Sequence, residues 1–95
     1  MIHTNLEAII EPKKWKLLEQ KYKGVNKNDL PSSLVSSHLI QDQLEPKLWR
    51  IVTFWKSRQD LDNYRKSVDV PVWILVFRAA GAEPKLSISE VIISK

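Results

Sequence analysis

Apolar and polar residues alternate along four stretches of the chain, as they do in β-strands that bury one face. The four stretches are His3 to Ile10, Leu34 to Gln41, Leu48 to Trp55 and Leu86 to Ile93. Between the second and the third lies Asp42 to Pro46, which is rich in turn-forming residues. This spacing predicts that the two middle strands form a β-hairpin.

Two further stretches repeat apolar residues at the spacing of an amphipathic helix. The first helix is predicted between Pro12 and Gly24, a residue that suits a helix start and one that suits a helix end. The second is predicted after Ser57, which together with Asp60 has the S-x-x-D form of a capping box. The apolar stripes are Trp15, Leu18 and Tyr22 in the first helix and Leu61, Tyr64 and Val68 in the second.

The apolar segment VPVWILVF is harder to assign. Its β-branched and aromatic residues are compatible with a buried strand. Pro71, however, suits a first helical turn, and Asp69 can cap that turn through its side chain. We therefore predict a short helix, in which Trp73 and Phe77 lie on the same face.

The resulting element order is typical of one α+β domain that covers residues 1–95. It is the ferredoxin-like βαββαβ pattern with a short extra helix before the last strand. In this architecture the helices cover one face of the sheet only. The alternating residues on the other face predict that two sheets pair across a symmetric homodimer.

Composition narrows the functional classes. The chain has 43% hydrophobic and 27% charged residues, which is ordinary for a globular protein. It has no cysteine, which excludes disulfides, thiolate chemistry and cysteine-based metal sites. The longest apolar run falls far short of the roughly 20 residues of a membrane span, and the N-terminus lacks a signal-peptide pattern. We expect a cytoplasmic protein without a membrane association.

The net charge of +4 is concentrated around the first helix, where six lysines accompany a single glutamate. The lysines are Lys13, Lys14, Lys16, Lys21, Lys23 and Lys27. No aromatic residues interleave with them in a strand, as a base-stacking surface requires, so we expect no nucleic-acid binding. A solvated helix face is the favoured interpretation, and an anionic partner remains the alternative. His3 and His38 fail as a metal pair, because their strands are not neighbours in such a sheet and no third ligand follows.

The middle of the chain resembles a known family. The hairpin LVSSHLIQDQLEPKLWRIVTFWKS and the helix DLDNYRKS are similar to the antibiotic biosynthesis monooxygenase (ABM) superfamily of dimeric α/β barrels, in which a strand ends in W-x-S directly before a helix. The resemblance implies a homodimer with a ligand cleft between sheet and helices in each subunit. Some members oxygenate aromatic phenols without metal or flavin, and others bind and degrade haem.

Carried to this sequence, the resemblance suggests Trp55, Asn5 and Tyr64 as catalytic residues, with the indole N–H of the first as a hydrogen-bond donor. The candidate substrate contacts are His38, Ile51, Trp73, Ile74 and Phe77. Ile51 stands where the phenol-oxidising members have asparagine, and Ile74 where the haem-degrading members have their ligating histidine. Haem degradation is therefore disfavoured, and no cofactor and no metal site is expected.

Two hypotheses follow. The first is a cofactor-independent monooxygenase that acts on a small aromatic molecule of unknown identity. The second is a dimer of the same fold that binds a ligand without chemistry or has a structural role. For Trp55, Tyr64, Trp73 and Phe77, plain packing in the core is the alternative role.

Overall fold

The computed structural model describes residues 1–95 and contains one four-stranded antiparallel sheet in the order β2-β3-β1-β4. Its strands are β1 (Ile2–Ile9), β2 (Leu34–Gln41), β3 (Leu48–Trp55) and β4 (Lys85–Glu90). Its helices are α1 (Trp15–Lys23), α2 (Arg58–Ser67) and α3 (Val72–Ala79), with 3-10 turns at Pro12–Lys14 and Lys27–Asp29. The ferredoxin-like α+β prediction, including the extra helix, is confirmed, and the sheet of a single chain is open rather than closed into a barrel.

The two central strands fix which side chains meet the helices. β1 and β3 pair from Ile2 opposite Trp55 to Ile9 opposite Leu48, and directly opposed residues project from the same face. On this inner face every residue is buried, which confirms the predicted alternation in β3. The buried residues are Ile2, Thr4, Leu6 and Ala8 of β1 and Trp49, Ile51, Thr53 and Trp55 of β3.

A pair of polar residues divides the core. One apolar cluster contains Leu6, Ile51 and eight other buried residues, and a smaller one contains Ile2, Trp55 and Leu61. Between the two, Thr4 lies opposite Thr53, and both side chains are buried. These two threonines are the only buried polar residues of the chain.

The starts of α2 and α3 are stabilised in different ways. At α2, Ser57 accepts a hydrogen bond from the Asp60 backbone N–H at 3.1 Å, as the sequence predicts for the cap. At α3, Asp69 does not cap. The N–H of Val72, the first residue of α3, instead donates to the Tyr64 hydroxyl at 3.1 Å. This bond satisfies one of the N–H groups that a helix start leaves without a partner inside the helix.

The last strand is shorter than predicted. β4 ends at Glu90, which lies opposite Ile2, the first residue of β1, so residues beyond it have no strand to pair with. On the face of the sheet away from the helices, the Arg50 guanidinium forms an ion pair with Asp42 at 3.1 Å.

The face of the sheet that no helix covers is called the outer face. His38 of β2, Val52 of β3, Asn5 of β1 and Ser87 of β4 form one row across it. Neighbouring rows carry Phe54 against His3 and Arg50 against Glu7. None of the helices combines the length and the apolar character needed to cross a membrane.

Candidate ligand cleft

A cavity of about 220 Å³ lies between the inner face of the sheet and the two C-terminal helices. It lies beside the Thr4–Thr53 pair, where the two apolar clusters separate. We call it the cleft. Its lining is mainly apolar: Thr4, Leu6, Trp55, Leu61, Tyr64, Arg65, Asp69, Pro71, Trp73, Ile74, Leu86 and Ile88.

Trp55 lines this cleft and has an unused hydrogen-bond donor. Its side chain is 2% exposed, and its ring packs against the Tyr64 ring with centroids 5.3 Å apart. The indole Nε1 is buried and has no hydrogen-bond partner in the protein. A buried donor without a partner costs about 1–3 kcal/mol of desolvation. In native structures such a group usually binds a ligand or a water molecule, or it has a functional role.

Tyr64 reaches the cleft from α2 and has a second free donor. Its hydroxyl oxygen accepts the Val72 N–H, while its own proton is given to no acceptor in the protein. A phenolic hydroxyl can donate and accept at the same time, so this proton is free for a ligand. Tyr64 therefore joins the two helices above the cleft and also borders the cavity itself.

Thr4 was missed by the sequence analysis. Its hydroxyl lies in the cleft lining, 3.5 Å from the Thr53 carbonyl oxygen, which is the long end of hydrogen-bond geometry. The sequence does indicate that Thr4 is buried. Thr4 lies two residues from each of the apolar residues Ile2 and Leu6, and side chains two residues apart in a strand project from the same face, so Thr4 must share their buried face.

The structure brings together four of the eight predicted site residues. Trp55, Tyr64, Trp73 and Ile74 all line the cleft. Ile51 and Phe77, at 1% and 0% exposure, lie in the larger apolar cluster and do not border the cavity.

Asn5 and His38 lie on the outer face, across the sheet from Trp55. The expected shared cavity beside Asn5 and Trp55 does not form, because strand alternation turns Thr4 and Leu6 inward and Asn5 outward. The Asn5 amide donates to the Glu7 carboxylate at 3.1 Å, and its Oδ1 is buried without a partner. His38 is exposed and stands opposite Val52.

Charged groups are sparse in the cleft. Its lining contains no histidine, and its only carboxylate and only cation, Asp69 and Arg65, are both exposed. The carboxyl groups with a shifted pKa lie elsewhere. Backbone N–H of Glu45 and the Arg50 guanidinium lower the pKa of Asp42, and the Arg78 guanidinium lowers that of Glu83. The cleft thus offers neutral donors and apolar walls but no buried base.

Haem, which the resemblance assigns to some members, does not fit this cleft. The residue that the resemblance puts at the ligating position is Ile74, whose side chain has no donor atom. The cavity of about 220 Å³ is smaller than the roughly 300–1,000 Å³ of pockets that hold drug-sized ligands, and a porphyrin is at least a drug-sized molecule.

Comparison with solved structures decides the fold. A candidate antibiotic biosynthesis monooxygenase from Deinococcus radiodurans matches with a TM-score of 0.76 at 10% identity, over 100% of this chain and 96% of that one. The chain has the ABM fold. Another structure described as an antibiotic biosynthesis monooxygenase matches the ABM fold of this chain with a TM-score of 0.71 at 14% identity, over 98% of this chain and 100% of that one.

The ABM fold is also shared with a conserved protein from Methanosarcina mazei, which has a TM-score of 0.72 at 14% identity and covers 93% of this chain and 89% of its own. At these identities the likeness concerns the fold alone. No protein-family model matches the sequence, and no curated protein matches it.

Proposed function

We propose that the cleft binds a small, mostly apolar aromatic molecule and that the chain oxygenates it without a cofactor. The observation that carries the proposal is that Trp55, whose Nε1 is buried without a partner, lines an apolar cavity of about 220 Å³. A ligand oxygen that accepts this N–H would remove the cost of the orphaned donor. The proton of the Tyr64 hydroxyl is a second donor for the same oxygen or for a neighbouring one.

The proposed chemistry relies on the substrate to supply its own anion. A phenol loses its proton to solvent, and a ring carbon of the phenolate forms a C–O bond with O2. The peroxide anion that results takes up one proton, the C–H proton leaves, and the O–O bond breaks with release of hydroxide, which takes up the second proton. Phenol plus O2 gives quinone plus water. Donors at the phenolate oxygen and exclusion of water are the contributions of the protein.

The absence of a buried base in the cleft gives this chemistry a distinctive pH dependence. Since no histidine and no buried carboxylate lines the cavity, the protein has little with which to deprotonate the substrate. We expect turnover to rise with pH along the titration of the substrate itself. Substrates of different acidity would then give different pH profiles with the same enzyme.

Oxygen uptake with a panel of hydroxyaromatics such as 1-naphthol tests the proposal. Trp55→Phe removes the N–H and keeps an aromatic ring, so uptake with the best substrate should fall about tenfold or more, the usual effect of losing one oriented donor. Ser87→Ala on the outer face is the matched control and should keep full uptake. Asn5→Ala decides whether Asn5 contributes from the outer face. Absence of uptake across the panel would contradict the proposal.

A ligand-binding dimer without catalysis is the second candidate. Ile51 and Ile74 favour it, because they replace the polar residues that the resemblance associates with catalysis. Binding of 1-naphthol without oxygen uptake, and with a Trp55-dependent affinity, would select this candidate.

We also propose that the outer face pairs two copies of the chain. Ile40 and Ile9 are 40% and 52% exposed, and the buried Oδ1 of Asn5 on this face lacks a partner. Sedimentation velocity tests the pairing. A charge in the centre of the face, as in Val52→Lys, should convert dimers to monomers, and a wild-type chain that is monomeric at micromolar concentration would contradict the pairing.

A further inference from the structure

A second pocket, of about 630 Å³, lies between the C-terminal end of α1 and strand β2. Trp73 borders both this pocket and the cleft. The Tyr22 ring stacks on Trp73 with centroids 4.9 Å apart and planes 24° apart. We call it the lysine pocket. Its lining residues are Tyr22, Lys23, Val25, Lys27, Leu30, Pro31, Ser32, Leu34, Val35, Ser36, Ser37 and Trp73.

The charged residues in the lining of the lysine pocket all have one sign. Lys23 and Lys27 are part of its lining, and no aspartate or glutamate is. Neither lysine belongs to any of the ion pairs of the structure, which involve Lys47, Arg50, Arg58 and Arg78. A concave surface with unpaired cations and no anion attracts negatively charged ligands.

The Ser37 hydroxyl lines the lysine pocket. Its Oγ lies 2.9 Å from the Tyr22 hydroxyl oxygen and 3.5 Å from Thr53 Oγ1. Each of these hydroxyls can donate or accept, so when Tyr22 and Thr53 donate to Ser37, the Ser37 proton is available to a ligand. An oxyanion in the pocket would supply an acceptor for it.

The backbone of β2 is irregular at the same place. The register of β2 against β3 shifts between Leu34 and Ser36, so Val35 is an extra residue. Such bulges redirect side chains and are frequent beside functional sites. At this bulge four consecutive residues of β2, Leu34 to Ser37, line the pocket.

The remaining wall is mostly apolar and includes Val25, Leu30, Leu34 and Trp73 beside Ser32 and Ser36. We propose that the lysine pocket binds a small organic oxyanion, a carboxylate or a phosphate ester, whose apolar body packs on this wall. Lys23 and Lys27 supply the charge, and Ser37 supplies a hydrogen bond. The proposal is independent of oxygenation, since it does not involve Trp55 and the two pockets share only Trp73.

Binding of three naphthalene probes to the 15N-labelled chain tests the proposal: 2-naphthoate, 2-naphthyl phosphate and the neutral 2-acetylnaphthalene. We expect at least one anion to bind at least about tenfold more tightly than the neutral probe. A difference of this size corresponds to one charge-assisted hydrogen bond that the neutral probe cannot form. Amide shifts should centre on Lys27 and Ser37. The two anions distinguish a carboxylate site from a phosphate site.

Two double variants with the same loss of charge separate a specific site from general attraction. Lys23→Gln with Lys27→Gln should reduce anion affinity to that of the neutral probe. Lys13→Gln with Lys16→Gln changes lysines outside the pocket. In this variant the anion affinity should stay within about twofold of the wild-type value, because distant charges are screened by salt. Equal losses in both variants, equal affinity of anions and the neutral probe, or shifts centred on Arg65 would overturn the proposal.

Discussion

Replacement of Tyr64 by phenylalanine tests how the helices above the cleft are held together. The change removes only the hydroxyl oxygen, which accepts the Val72 N–H at 3.1 Å, and it keeps the ring that packs on Trp55. A neutral hydrogen bond contributes about 0.5–1.5 kcal/mol net, and an orphaned donor costs about 1–3 kcal/mol when fully buried. Val72 is only partly buried, so water can reach its N–H in the variant. We therefore expect a loss of about 1 kcal/mol, at the lower end of these ranges.

Urea unfolding followed by circular dichroism measures this loss. The midpoint should fall with an unchanged m-value, because the same surface is exposed on unfolding. A loss of about 1 kcal/mol corresponds to a Tm lower by about 4–8 °C in a domain of this size. Hydrogen exchange locates the effect, since the Val72 amide should lose protection in Tyr64→Phe.

Tyr22→Phe is the matched control for this measurement. It also removes one phenolic hydroxyl, but that hydroxyl bonds to Ser37 and not to α3. The Val72 amide should keep its protection in Tyr22→Phe. An unchanged midpoint together with unchanged exchange of Val72 in Tyr64→Phe would refute the reasoning that this hydroxyl anchors the start of α3.

Three further predictions concern the fold. Ser57→Ala removes the cap of α2 and should lower the free energy of unfolding by about 1 kcal/mol in urea titrations; no change would contradict the cap. Phe77→Ala should cost about 3–5 kcal/mol by the same assay, because the ring is fully buried; a loss below about 1 kcal/mol would contradict its place in the core. Glu45 N–H and Arg50 hold the pKa of Asp42 below its ordinary value, so Asp42 stabilises the fold above about pH 4 and loses this effect as the pH falls through its folded-state pKa. The destabilisation by Asp42→Asn should thus be smaller at pH 3 than at pH 7, and an equal effect at both would refute this linkage.

The fold could be predicted from local patterns because each pattern has a strong physical cause. Alternation in β3 sorted its residues correctly, since a strand can bury only one of its faces. Ser57 and Asp60 identified the start of α2 because their reciprocal hydrogen bonds are local in sequence. Pro71 indicated the start of α3 to within a residue, but the group that stabilises this start could not be found in this way. That group, the Tyr64 hydroxyl, lies eight residues away and depends on how the helices pack.

The candidate site was harder to predict, because it combines distant strands. Asn5 was assigned to the cleft on the strength of a resemblance, although its neighbour Leu6 is apolar and the two must face opposite ways. The same alternation would have pointed to Thr4. The contact of Thr4 with Thr53, by contrast, depends on the register between β1 and β3, which no local pattern specifies.

The most direct test of the cleft as a ligand site is the indole N–H resonance of Trp55 during a titration with 1-naphthol. Trp49 is an internal reference, because its Nε1 is also buried without a partner but borders no part of the cleft. We predict that the Trp55 signal moves downfield and saturates while the Trp49 signal stays in place. A stationary Trp55 signal at saturating 1-naphthol, or equal movement of both signals, would contradict the assignment of the cleft.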